Sequence, residues 1–298
     1  MKSKNISAYQ VNLVYIDKEK NGEVYKDKWD SSELLSVLKS INDKDKLEKR
    51  QILNGWFMLL HELNNEKAYI TGCIQYAEYG YIGNLIDADT LSERENPKKL
   101  REGEEKYVHF LFRKNDGLLL LQGDTKITRA KFEDYINNKG KDKLDEFKLY
   151  GVQLETLLRT DFFEEIDKLD KVGQIHLEIE TESPFADENE VITNAKRKAL
   201  ELNSTHFMLS FHAKYKRKGL EGYIPFLKSY HNKKGVSKIK VVGKKGKADK
   251  VINTDTYAEK YPVSIKTDQN GKLVTEDAYT QIKRIAENRE LIRRDDKN

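Results

Sequence analysis

The stretch YVHFLFRKNDGLLLLQ, residues 107–122, constrains the fold more than any other. Two apolar runs flank Asp116-Gly117, a pair suited to the positive φ of a tight turn, so the spacing predicts a β-hairpin. Arms this apolar need a core, and a chain of 298 residues with 38% hydrophobic content can supply one although 35% of it is charged.

Neighbouring segments extend the picture. QILNGWFMLLH (51–61) and AYITGCIQYAEYG (68–80) are aromatic and β-branched and read as paired strands. Asp30 followed by Glu33 resembles a capping box, and Leu34, Leu35, Val37, Leu38 and Ile41 form the stripe of an amphipathic helix. After the hairpin, Gly123-Asp124 leads into a helix with Phe132, Tyr135 and Ile136 on one face. Pro184 interrupts the pattern, and ADENEVITNAKRKALELN follows as a helix. A last helix opens at Glu276 and Asp277, carries Ala278, Ile282 and Ile285 as its stripe, and closes on Arg289, Arg293 and Arg294. The expected fold class is α+β: two mixed α/β domains, 1–183 and 184–298, the second with a basic sheet face and a C-terminal helix.

Charge is distributed unevenly along this frame. The chain holds 54 Lys and Arg against 50 Asp and Glu, a formal net charge of only +4. Yet residues 213–250 carry thirteen basic residues and two acidic ones, whereas 161–190 carry eleven acidic residues and two lysines. Such asymmetry points to a polyanion-binding face, because affinity for nucleic acid follows local phosphate neutralisation rather than total charge.

Periodicity sharpens this. In THFMLSFHAKYKRK (205–218), Phe207, Leu209, Phe211, Ala213 and Tyr215 alternate with Ser210, His212, Lys214 and Lys216, as in a half-buried strand. In SKIKVVGKK (237–245), Ile239 and Val241 alternate with Lys238, Lys240 and Lys244. If the two strands share a sheet, their lysines converge, and Gly243 and Gly246 let a turn carry Lys244, Lys245 and Lys247 close to a nucleic-acid backbone. The predicted contact residues are Lys214, Lys216, Arg217, Lys218, Lys238, Lys240, Lys244, Lys245 and Lys247. The adjacent acidic stretch, including Asp167, Asp170, Glu178 and Glu180, is placed to compete with nucleic acid for them.

Catalytic signatures are sparse, and neither a catalytic residue, a metal ligand nor a cofactor is assigned. His206 and His212 lie on one face of a strand but roughly 20 Å apart, too far to share a metal. His61 lacks the second histidine of HExxH, and GKKGKAD lacks the hydroxyl residue and spacing of a phosphate loop. His109 and His176 fall inside apolar strands and read as structural. Cys73, the only cysteine, excludes an internal disulfide and reads as a small buried residue. Asp124, Glu178 and Glu180 are the candidates for a metal-dependent nuclease, the alternative to a binding protein. Turn chemistry accounts for Asp124, and an exposed strand face for the two glutamates. MKSKNISAYQ has no apolar core of a signal sequence and no run is long enough to span a bilayer, so a cytoplasmic location without direct membrane insertion is expected.

The succession of a glycine-bearing hairpin, LLLLQGDT with its helix, LRT, IHLEIET, FMLSFHAKYKRKG, SKIKVVGKKGKADKVIN, KYPVSIKTDQNGKLV and a final amphipathic helix resembles the RexA phage-exclusion proteins over roughly residues 105–298. The basic second half is more distantly similar to the KwaB proteins of the Kiwa anti-phage system. The resemblance implies a cytoplasmic homodimer that binds double-stranded DNA without strong sequence preference and serves phage exclusion with a membrane protein as effector. It also implies a contact role for Lys214, Lys216 and Arg217.

Overall fold

In a computed structural model, residues 1–19, 22–181, 190–214, 217–231 and 235–292 are described. The chain is α+β and divides into two units, Met1–Glu155 with Lys260–Asn298, and Thr156–Glu259. This corrects the division at 183/184. The terminal strand and helix belong with the first sheet, and the boundary expected at Pro184 lies outside the described residues.

The first unit contains β1 (Lys2–Glu19), β2 (Gly22–Lys28), α1 (Ser31–Asn42), β3 (Gln51–Leu53), β4 (Trp56–Asn65), β5 (Tyr69–Glu78), β6 (Leu85–Ile86), β7 (Glu93–Arg94), β8 (Lys106–Arg113), β9 (Leu118–Gln122), α2 (Arg129–Lys139), α3 (Lys141–Glu146) and β10 (Leu149–Thr156). The second contains α4 (Phe162–Asp167), β11 (Lys171–Glu180), α5 (Glu190–Glu201), β12 (His206–His212), α6 (Tyr223–His231), β13 (Val236–Lys245) and β14 (Ala248–Asn253). The chain then returns to the first unit as β15 (Lys260–Ile265) and α7 (Thr275–Asn288).

The first sheet runs β10-β1-β9-β8-β5-β4-β3, with β15 and β2 also pairing with the long β1. Its core packs Val108, Phe110 and Phe112 of β8 against Leu34, Val37, Leu38 and Ile41 of α1 and Phe132, Tyr135 and Ile136 of α2. By strand alternation His109 and Arg113 point to the other face, where His109 meets Thr275 and Tyr279 of α7. Helices on both sides explain why Leu118–Leu121 form an unbroken apolar run, all four fully buried, where a sheet with one wet face would alternate.

The hairpin forms between β8 and β9, with Phe110, Leu111 and Phe112 opposite Leu121, Leu120 and Leu119. Its turn differs from the expected tight pair. Only Gly117 has positive φ, at 74°. Asp116 is buried, and its carboxylate accepts two bonds from the Arg113 guanidinium at 2.9 and 2.6 Å. The turn is a longer one, closed by the Gly117 N–H to the Arg113 carbonyl at 3.0 Å.

Asp30 caps α1 by accepting from the Ser32 and Glu33 amides at 2.9 and 3.3 Å. Glu33 does not complete a capping box: its carboxylate accepts from Tyr15 Oη, tying α1 to β1. Asp30→Ala should therefore cost about 1 kcal/mol in urea unfolding, an ordinary cap loss. In α2, Tyr135 Oη donates to the Lys49 carbonyl at 2.9 Å and accepts from the Leu60 amide at 2.8 Å, so a fully buried phenol has both bonds made. In α7 the buried stripe is Ala278, Ile282 and Ala286, with Ile285 at its margin; Arg293 and Arg294 lie outside the described residues. Cys73 is buried, and burial first of all pushes its thiol up to about 12, which keeps it protonated.

Candidate nucleic-acid interface

The second unit is an antiparallel sheet in the order β12-β11-β13-β14. Its core joins Val172, Ile175, Leu177 and Ile179 of β11, Ile239 and Val241 of β13 and Ile252 of β14 to Phe162 and Ile166 of α4, Ile192 of α5, and Leu227 and Tyr230 of α6. The helices thus cover one face. The intervening residues form the opposite face, which alternation leaves to solvent. It presents His206, Met208, Ser210 and His212 on β12, Gln174, His176, Glu178 and Glu180 on β11, and Lys238, Lys240, Val242 and Lys244 on β13.

The two segments share a sheet, the condition set for their lysines to converge, but they are not neighbours. β11 lies between them and pairs with both. Reading across in register, Met208, Glu178 and Lys238 form one row, Ser210, His176 and Lys240 the next, and His212, Gln174 and Val242 a third. Lys171 then stands directly opposite Lys244. The face is therefore graded, with Glu178 and Glu180 at one end, beside Lys238, and Lys171 and Lys244 at the other, where Asp249 of β14 stands opposite Lys244.

The predicted contact residues separate along this gradient. Lys238 is ion-paired with Asp255 and opposite Glu178; the bond to Asp255 raises its pKa, so this lysine stays protonated with its charge already engaged. Lys240 sits mid-face beside His176, with no ion pair among the described residues. Lys244 is exposed, with Asp249 at 3.8 Å, a separation that gives little attraction in water. Lys245 alternates to the reverse side at the very end of β13. Lys247 is exposed in the two-residue turn Gly246-Lys247, where Gly246 takes the positive φ of 61° that the first turn position requires. Asp170 holds this turn: its carboxylate accepts from the Gly246 amide at 2.6 Å and its own amide donates to the Lys244 carbonyl at 2.9 Å.

β12 ends at His212, so the alternation expected through 218 is cut short. Ala213 donates to the Gly173 carbonyl at 2.9 Å and Leu220 to the Val172 carbonyl at 2.8 Å, which anchors both residues at the start of β11. Lys214, Arg217 and Lys218 are exposed on this loop, at the same end of the sheet as Lys171 and Lys244. Lys216 and Tyr215 lie outside the described residues. Periodicity missed Lys171, which comes from the acidic stretch and joins the basic end only through pairing.

The acidic competitors are divided too. Glu178 and Glu180 share the open face, whereas Asp170 props the lysine turn. Asp124 belongs to the other unit, where it accepts from the Lys126 and Ile127 amides at 2.8 and 3.2 Å and from Tyr76 Oη at 2.8 Å. Turn chemistry fully employs it. Among the described residues no three His, Cys, Asp or Glu side chains are grouped closely enough to hold a metal ion.

The histidines sort by burial. His109 is buried, bonded to Gln122 at 2.9 Å and Thr275 at 3.3 Å, and burial holds its pKa down. His176 is instead on the open face, its Nδ1 2.9 Å from Ser210 Oγ and its Nε2 3.1 Å from Gln174 Oε1. Among the described residues, no helix is long and apolar enough to cross a membrane. No protein-family model matches the chain and no curated protein matches it, so the chemistry of the interface is read from its geometry.

Proposed function

We propose that this protein binds DNA without sequence preference, through phosphate contacts made at the cationic end of the open sheet face. The observation that carries the reading is the gathering of Lys171 and Lys244 with the loop cations Lys214, Arg217 and Lys218 on one end of a sheet that has Lys240 mid-face and Glu178 and Glu180 at its other end. Five of these six cations are lysines, which reach phosphate oxygens without the bidentate geometry with which arginine reads guanine, so unrelated duplexes should bind nearly alike. The biological setting we infer, from the resemblance to RexA and KwaB proteins, is phage exclusion by a cytoplasmic homodimer acting with a membrane effector. Two cationic ends related by a two-fold axis would raise apparent affinity through effective concentration, without a new contact.

Salt titration tests the reading. With about six phosphates neutralised, affinity for any duplex should fall about a thousandfold between 50 and 200 mM salt. A flat response would overturn phosphate binding. Mg²⁺-dependent degradation of the duplex in the same tubes would replace the binding protein with a nuclease.

A further inference from the structure

At the cationic end of the open face, β11 bulges. Val172 pairs with Gly243 and Gln174 with Val242, leaving Gly173 between them without a partner on β13. The bulge and the start of the loop after β12 surround a depression of about 460 Å³ lined by Lys171, Gln174, His212, Lys214 and Lys244. Two lysines, Lys171 and Lys244, stand directly opposite one another across the strands, an arrangement that costs stability in a free sheet. Gly243 permits it, since a Cβ there would lie 2.5 Å from the Lys171 carbonyl oxygen. A local conflict of this kind marks a place shaped for a ligand rather than for stability. Asp249, also on the rim, offsets it only in part from 3.8 Å.

His212 lines the depression, and His176 stands behind it in the next row of the open face. The His176 and His212 rings meet edge to face, centroids 5.5 Å apart. His176 is otherwise faced by Ser210, Gln174, the Lys240 ammonium on β13 and, two residues along its own strand, Glu178. His212 lies on the edge strand, opposite Gln174 and two residues before Lys214. We propose that this depression is a phosphate subsite in which the His176–His212 pair takes up a proton as a phosphate of the bound nucleic acid enters. This deepens the DNA-binding reading and rests on it.

The physical argument is a linkage. Without an anion, protonating His176 brings a cation next to the His212 ring and close to Lys240, and partial burial adds to the cost. These are the causes that lower the pKa of His176: burial first, then His212, then Lys240. A phosphate oxygen replaces that repulsion with attraction and accepts a hydrogen bond from the protonated ring, so the pair binds a proton more tightly in the complex. Affinity then rises as pH falls through the pKa of the complex and levels off below that of the free protein.

Fluorescence anisotropy with one labelled duplex, at fixed ionic strength between pH 7.5 and 5.5, tests this above the carboxylate range. Affinity should tighten about tenfold over that interval, the response of roughly one linked proton. Calorimetry in buffers of different ionisation enthalpy should show net proton uptake near pH 6.5. In a His176→Asn/His212→Asn variant both effects should vanish while binding at pH 7.5 persists, and His212→Asn alone, on the exposed edge strand, should remove part of them. A double variant that keeps the full pH response, or a wild type that binds equally at both pH values, overturns the subsite but leaves DNA binding standing. No binding at any pH overturns both.

Discussion

Replacing Lys171, Lys240 and Lys244 together with glutamate is expected to weaken DNA binding more than about a hundredfold at 100 mM salt, with the melting temperature essentially unchanged. Three attractions to phosphate become three repulsions, so the log–log salt slope should shrink by about 0.9 for each phosphate that is no longer neutralised. The fold should tolerate the change. Lys244 is exposed, Lys171 and Lys240 alternate with buried residues of the core, and surface changes usually stay within about 0.5 kcal/mol. Lys238→Ala is the contrasting case: its ammonium is already engaged by Asp255, so it should alter affinity less than about threefold. Glu178→Gln with Glu180→Gln should act in the opposite direction and tighten binding, because those carboxylates occupy the same face. Triple-variant binding equal to wild type, at an unchanged melting temperature, would reduce the lysines to a solvated surface. Gel shifts with two unrelated duplexes, read beside thermal melts, cover all of these outcomes.

The largest stability effect is expected at Arg113 and Asp116. Their side chains are 6% and 5% exposed and lie 2.6 Å apart. Arg113 also donates to the Ala286, Arg289 and Glu290 carbonyls at 2.5, 2.8 and 2.9 Å, so it caps the end of α7, while Asp116 accepts from the Ile292 amide at 2.7 Å. Removing either partner strands a buried charge, and Asp116→Ala or Arg113→Ala should each cost about 3–5 kcal/mol in urea unfolding. The double change Arg113→Met/Asp116→Leu should cost less than the sum of the singles, because no unpaired charge remains. The pair also sets a sign for pH. Burial by itself would raise the Asp116 carboxyl, but the bonds from Arg113 and Ile292 outweigh it and hold the pKa below the usual value. Its stabilisation is therefore complete above the unfolded value of about 3.9 and is lost as pH falls from there through the folded pKa. An acid-unfolding midpoint that stays put in Asp116→Ala would disprove the contribution.

Much of this architecture was legible locally. The N-cap at Asp30, the core stripe of Phe132, Tyr135 and Ile136, the hairpin around Gly117 and the alternation of Ile239 and Val241 with Lys238 and Lys240 all depend on residues within a few positions of one another. Helical and strand periods write such relations directly into sequence. Asp116 was misassigned for the same reason: Asp-Gly reads as turn chemistry, and nothing nearby reveals that Arg113 and the end of α7 take the carboxylate into the interior.

The candidate interface shows where local reading stops. Charge and period by themselves determined that β12 and β13 each set a core-facing side against an open one and that lysines crowd the open side of β13. Only the tertiary structure decided that β11 runs between them, carrying Lys171 to one end of the open face and Glu178 and Glu180 to the other. Likewise, nothing in β15 or α7 announces that they leave the basic segment and rejoin the first sheet, where β15 pairs with residues Lys2–Ser7. The physical reason is common to both cases. A strand's period is set by its own backbone, whereas its neighbour and register are chosen by burial and hydrogen bonding between segments far apart in the chain, so partner choice leaves no mark within a window of ten residues.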